Sequence, residues 1–189
     1  FDTALEKAYM VLSAGMGFVK TTAVSQYIVQ SPYLNVWFSF TGPDNIPSRF
    51  WEHLTRVFAQ HKPSLGEKMQ ALGFPESLQS FSHFLSDLTE ELYQDDRTIA
   101  FVFDDVHILR DSAVKAFLSD FLSSRLENSC MILMTQDWPD FGHPSTAAPH
   151  MVLAEDLRFT QAETGRFLTA SGLALVAGVT RAIHEYVSG

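Results

Sequence analysis

The sequence predicts an α/β domain built on a parallel sheet. Three observations carry that expectation: five short apolar runs without strict alternation, amphipathic helical patterns between them, and polar motifs where two of the runs end. Runs that do not alternate suit strands covered on both faces, as in a sheet with helices on either side. Hydrophobic residues make up 46% of the 189, and charged residues 19%, so a sizeable core is available and a disordered tail is excluded. The length allows one domain, or one domain and the start of another.

The expected strands are Tyr9–Ser13, Val36–Phe40, Ile99–Phe103, Met131–Thr135 and Met151–Leu153. After the first, a helical stretch should end by Gln30, because Ser31-Pro32 follows. Phe50, Leu54, Val57 and Phe58 form an apolar stripe just after a Pro47-Ser48 helix start. Leu78, Phe81, Leu85, Leu88 and Leu92 recur at spacings of three and four, the mark of an amphipathic helix. Val114, Phe117, Leu118, Phe121 and Leu122 repeat the pattern. The stretch 137–149, with three prolines and a glycine, reads as a loop. Thr160 followed by Glu163 is a capping-box pattern that starts a further helix, with Phe167 and Leu168 on its inner face. Alternating strands and helices imply right-handed crossovers. The expected division is a core over 1–157 and the start of a helical subdomain over 158–189.

Composition removes several function classes. A net charge of −9 argues against gripping the phosphate backbone of DNA. The single cysteine, Cys130, lies in an apolar run and reads as a buried thiol, and the seven histidines show no ligand spacing. No apolar run approaches the roughly 20 residues a bilayer requires, and no secretory signal opens the chain, so the expected location is the cytoplasm. The chain starts at Phe1 without an initiator methionine and reads as an excised fragment.

The first strand runs into Ala14-Gly15-Met16-Gly17-Phe18-Val19-Lys20-Thr21-Thr22 and then into a helix. A strand, a small-residue turn, Lys-Thr and a helix together form the context of a phosphate-binding P-loop. Backbone N–H groups at such a helix start make an anion nest, to which the helix dipole adds partial positive charge. Lys20 would reach the β- and γ-phosphates, and the Thr21 hydroxyl would bind Mg²⁺. The strict pattern is broken twice, by Ala14 and Val19 at its two glycines. On the loop alone, an ordinary strand–turn–helix connection explains these residues equally well.

The run Ile99–Phe103 ends in two adjacent carboxylates, Asp104 and Asp105, where the acidic strand end of a P-loop ATPase should lie. There Asp104 would hold Mg²⁺ through water, and Asp105 would orient or deprotonate an attacking water. A solvated acidic turn is the plain alternative for this feature in isolation. Paired with Lys20-Thr21 on an earlier strand of the same sheet, the nucleotide reading is favoured. His107, close by, reads as a structural loop residue.

With both motifs in place, the chain resembles the N-terminal ATPase domain of MalT-like, LuxR-type transcriptional regulators, which are STAND-class P-loop ATPases (signal transduction ATPases with numerous domains). Ala14, Gly17, Phe18, Lys20, Thr21 and Thr22 match the family's phosphate loop. Val36–Phe40 is similar to its tryptophan-bearing second strand, and Asn45–Phe50 to its Asn-Asp-Pro-aromatic segment. Phe103-Asp104-Asp105-Val106-His107 is similar to its Asp-Asp-aromatic-His box. Glu155–Thr160 followed by Glu163 resembles its Leu-Arg-Phe-Thr signature.

The resemblance implies a three-layer fold with sheet order 5-1-4-3-2, in which the fourth strand lies between the strands carrying the two motifs. It implies ATP/ADP and Mg²⁺ as ligands, a small-molecule or protein inducer, and DNA contact through a helix-turn-helix elsewhere. It also implies a resting monomer with ADP and self-association with ATP. The nucleotide-binding residues it carries over are Gly15, Gly17, Phe18, Val19, Lys20, Thr21 and Thr22, with Thr21 and Asp104 on the metal and Asp105 catalytic. Two departures fall in this site: Val19 replaces the glycine before the lysine, and Gln136 stands where the family has an arginine. Both point to weakened or lost hydrolysis. The expected function is thus a nucleotide-controlled regulatory switch. A catalytically dead scaffold for protein contacts is the alternative, and a turnover enzyme such as a kinase or motor trails both.

Overall fold

The structure is a computed structural model that describes residues 9–15, 20–94, 97–137, 149–153 and 156. Five strands form one sheet: β1 (Met10–Ser13), β2 (Leu34–Ser39), β3 (Ile99–Asp104), β4 (Ser129–Thr135) and β5 (His150–Leu153). They lie in the order β2-β3-β4-β1-β5, and every neighbouring pair is parallel. This is the expected 5-1-4-3-2 sheet. The helices are α1 (Lys20–Gln30), α2 (Pro47–Ala59), α3 (Pro63–Leu72), α4 (Leu78–Tyr93) and α5 (Ser112–Ser123). None of the described helices is long and apolar enough to cross a membrane. The expected helix after Thr160, the subdomain over 158–189 and most of the 137–149 loop fall outside the described residues.

Successive strand side chains point to opposite faces, and the two faces of this sheet differ in character. Odd-numbered residues of β3 (Ile99, Phe101, Phe103) and of β4 (Met131, Leu133) enter a large core with α2, α3, α4 and α5. That core is aromatic. The Phe84 ring lies 5.7 Å from Phe117, and Trp51 lies 5.3 Å from Phe84, in a network that extends to Phe101 and Phe121. The Trp51 indole N–H donates to the Met69 carbonyl at 2.8 Å, so its one polar atom is satisfied in the core. The even-numbered residues Ala100, Val102, Cys130, Ile132 and Met134 face the other way, against Val24 and Ile28 of α1. Burial there pushes the Cys130 thiol up to about 11, which leaves it inert.

Local chemistry sets most helix ends. Proline occupies the first position of α2 and of α3, where a missing N–H costs nothing. Ser77 caps α4 by accepting from Ser80 N, and Asp111 caps α5 by accepting from the N–H groups of Ala113 and Val114 at 3.0 Å. Gly73 ends α3 with φ +70, a torsion glycine takes without strain. Two details depart from the sequence expectation. Helix α3 was not foreseen, and Leu78, expected on the inner stripe of α4, is 81% exposed, while Phe84, Leu88, Glu91 and Leu92 are buried.

Helices α2 and α3 meet at close range. A Cβ added to Gly66 would stand 2.5 Å from the Ala59 Cβ and 3.1 Å from its Cα. Gly66→Ala gains up to about 1 kcal/mol of helix propensity, but separating the two backbones costs about 1–3 kcal/mol. The variant should show a lower urea midpoint than the parent, and adding Ala59→Gly should recover most of the loss. An unchanged midpoint for Gly66→Ala alone would contradict this close approach.

Candidate nucleotide-binding site

Sheet order and strand parity bring the two motifs together. β4 lies between β1 and β3, so the carboxyl ends of all three strands sit side by side, and Ala14 N donates to Thr135 O just beyond β1. Asp104 shares its parity with Ala100 and Val102 and therefore points to the α1 face of the sheet. The first turn of α1 carries Lys20 and Thr21 to that place.

The contacts follow. Thr21 Oγ1 donates to Asp104 Oδ2 at 3.1 Å, across 83 residues of chain. The other carboxylate oxygen, Oδ1, accepts from the Asp105 N–H at 2.9 Å, which fixes the orientation of the group. Lys20 Nζ donates to the carbonyls of Ala14 and of Gly15, the latter at 3.0 Å. Lys20 and Asp104 are 8% and 7% exposed, so two opposite charges lie largely out of water at the end of the sheet.

Burial is the leading cause acting on both. It lowers the Lys20 ammonium from its usual range, against the pull of Asp104 and Asp105. It raises the Asp104 carboxyl, reinforced by the neighbouring charge of Asp105 and opposed by the Thr21 hydroxyl, the Asp105 N–H and Lys20. Neither charge is fully compensated by the protein alone.

The other expected site residues are placed as follows. Asp105 is half exposed, just past β3, with φ 57 and ψ 35 in the left-handed region that aspartate tolerates better than most residues. Its Oδ1 lies 3.8 Å from His107 Nδ1, which makes no hydrogen bond. Gly15 is exposed, and a Cβ there would meet nothing within 4 Å, so open space adjoins the carbonyl that Lys20 binds. Thr22 is exposed on the first turn of α1, and Gln136 is half-buried just after β4. Gly17, Phe18 and Val19 lie outside the described residues. Ser39, unnoticed in the sequence, is the cross-strand partner of Asp104 on β2, and its hydroxyl accepts from the Trp37 indole at 3.1 Å. Its signal was its register, which needs the sheet pairing to be read.

The residues present fit a magnesium–nucleotide pair. A hydroxyl and a carboxylate on facing elements are the hard oxygen donors Mg²⁺ takes, with phosphate and water completing its six positions. Lys20 carries three N–H groups and donates to two loop carbonyls.

The electrostatics give a direct expectation for the ligand-free protein. Because the folded-state pKa of Asp104 is raised, its ionised form costs stability at neutral pH, and that cost fades as pH falls through the raised value toward the unfolded one. Asp104→Asn removes the charge and keeps an acceptor for Thr21 but loses the oxygen that accepts from the Asp105 N–H, so the charge is read from pH dependence. By scanning calorimetry the melting temperature of the variant relative to the parent should fall as pH is lowered from 7 toward about 4. A difference that stays constant over this range contradicts this account of the site.

No family model matches the chain. It is similar to the HTH-type transcriptional regulator MalT of Yersinia enterocolitica, 24% identical over 160 residues, covering 83% of this chain and 18% of that protein. It is likewise similar to MalT of Yersinia pestis, 26% identical over 132 residues, covering 70% of this chain and 14% of the relative. The chain thus spans less than a fifth of the regulators it matches. Among solved structures, a STAND protein with a tetratricopeptide repeat sensor from Pyrococcus horikoshii superposes with a TM-score of 0.65 at 14% identity, over 95% of this chain and 25% of that one. The chain is thus similar in sequence to MalT regulators and shares the fold of a STAND protein.

Proposed function

We propose that this chain is the nucleotide-binding switch domain of a LuxR-type transcriptional regulator, taking ADP or ATP with Mg²⁺ at Lys20, Thr21 and Asp104. The observation that carries the proposal is the 3.1 Å contact between Thr21 Oγ1 and Asp104 Oδ2 beside a buried Lys20. In this reading the Lys20 ammonium offsets phosphate charge, and Thr21 and Asp104 hold the cation, which neutralises and orients the phosphates. On this reading Gly15, Gly17, Phe18, Val19 and Thr22 belong to the phosphate-binding segment, and Asp105 meets a water attacking the terminal phosphate. Binding of a phosphate anion and a dication also supplies the compensation that the half-paired charges lack.

Hydrolysis on this reading is slow or absent. Gln136 can donate a hydrogen bond but supplies no charge, and Val19 occupies the place before the lysine where glycine permits torsions a β-branched residue resists. The domain works in the cytoplasm and leaves DNA contact to a helix-turn-helix segment elsewhere, in line with its net charge of −9. An inducer and nucleotide-dependent self-association complete the proposed switch. If the site binds no nucleotide, the chain is instead a P-loop scaffold for protein contacts.

Two calorimetric titrations test this. Lys20→Ala should abolish binding of Mg-ADP and Mg-ATP in a protein that still unfolds cooperatively. Equal affinity in variant and parent would sink the assignment. Val19→Gly should tighten Mg-nucleotide binding about tenfold or more, since a strained torsion of roughly 1–3 kcal/mol is worth about one to two decades. A parent already in the low micromolar range, and unimproved by glycine, would mean that the loop accommodates its valine.

A further inference from the structure

A single side chain ties the turn after β2 to the loop after β3. Asn45 Oδ1 accepts from the backbone N–H groups of Arg110 and Asp111, the latter at 3.1 Å. Its Nδ2 donates to the carbonyls of Ile108 and Gly42, each at 3.2 Å. An amide side chain has two acceptor lone pairs and two N–H groups, and Asn45 uses all four. Three of these partners are backbone atoms of the loop that begins at Asp105.

Both sides of this clasp are anchored. The turn 42–45 is locked by Asp44, which is 2% exposed and accepts from Thr41 N at 2.7 Å and Thr41 Oγ1 at 2.6 Å, with His53 Nδ1 at 3.1 Å from its other oxygen. On the far side, Asp111 caps α5. Between Asp104 and the clasped atoms lies Asp105 in its left-handed torsion, a conformation of some cost to a residue with a side chain, and one that persists where the surroundings impose it. The peptide that leads into this torsion carries the Asp105 N–H, which donates to Asp104 Oδ1 and leaves Oδ2 for Thr21.

We infer that Asn45 is a positioning residue of the nucleotide site: by clamping the 108–111 backbone it holds Asp105 in place, and through the Asp105 N–H it sets the Asp104 carboxylate on Thr21. The inference rests on the reading of Lys20, Thr21 and Asp104 as a magnesium–nucleotide site. It assigns the turn after β2 to the cation half of that site. Loss of Asn45 therefore acts on what Mg²⁺ adds to nucleotide affinity and leaves the anion half, at Lys20, alone.

Two measurements on the parent, Asn45→Ala and Asn45→Asp test it. In amide hydrogen exchange of the ligand-free protein, Arg110 and Asp111 should be protected in the parent and exchange at least about tenfold faster in Asn45→Ala. Asn45→Asp, whose carboxylate still accepts from both, should keep most of the protection. In calorimetric titrations with ATP, with and without Mg²⁺, the gain due to Mg²⁺ should fall about three- to tenfold in Asn45→Ala, with Mg²⁺-free affinity held within about twofold. A merely structural lesion would lower both affinities together. Unchanged exchange at Arg110 and Asp111 in Asn45→Ala, or an unchanged gain from Mg²⁺ in a parent that binds nucleotide, overturns the inference alone. No ATP binding by the parent overturns the reading of the site and the inference with it.

Discussion

The placement of β4 between β1 and β3 is the constraint on which the candidate site depends. Residues 20–21 and residue 104 are far apart in sequence, and they meet because the first follow β1 and the second ends β3, the two strands that flank β4 in register. Parity does the rest, since Asp104 points to the same face as Val102 and hence to the first turn of α1. A one-residue slip of β3 against β4 would turn Asp104 to the aromatic face and bury an unpaired carboxylate. The register is held by side chains of both faces at once, so the chemistry at the strand ends inherits the stability of the whole sheet.

The two faces divide the labour. One is filled by phenylalanines of β2, β3 and three helices and by Trp51, and its aromatic pairs are worth about 0.5–1.5 kcal/mol each beyond simple burial. The other packs Ala100, Cys130 and the larger apolar side chains of the strands against Val24 and Ile28 of α1. Lys20 at the start of α1 and Asp104 at the end of β3 are buried together beside this face. Burial in turn leaves both charges short of compensation, the condition under which an added anion and dication are most strongly favoured.

Much of this was legible in the sequence, for definite reasons. Strand positions came within two residues because buried parallel strands are apolar throughout, and the end of α1 at Gln30 was marked by Ser31-Pro32. Helix α3 escaped because its buried residues, Leu65, Gly66 and Met69, include a glycine that periodicity does not count. Leu78 was misplaced because the first turn of α4 stands clear of the core, while Glu91 hides on the buried side with its carboxylate held by the Ser64 hydroxyl at 2.7 Å. Lys20, Thr21 and Asp104 were visible as motifs, yet the sheet order came from family resemblance and not from the residues. Ser39 and Asn45 lie in segments that resemble the family, but their contacts carried no signal, because register and loops more than sixty residues away set them.

The central claim is that a nucleotide-bound cation sits between Thr21 and Asp104. Paramagnetic broadening tests it most directly, with Mn²⁺ in place of Mg²⁺ and ADP added to the isotopically labelled protein. The account predicts that the amide signals of Thr21, Asp104 and Asp105 broaden first, at sub-stoichiometric Mn-ADP. Those three signals remaining sharp, while exposed acidic positions such as Glu76 and Asp120 broaden, would contradict it.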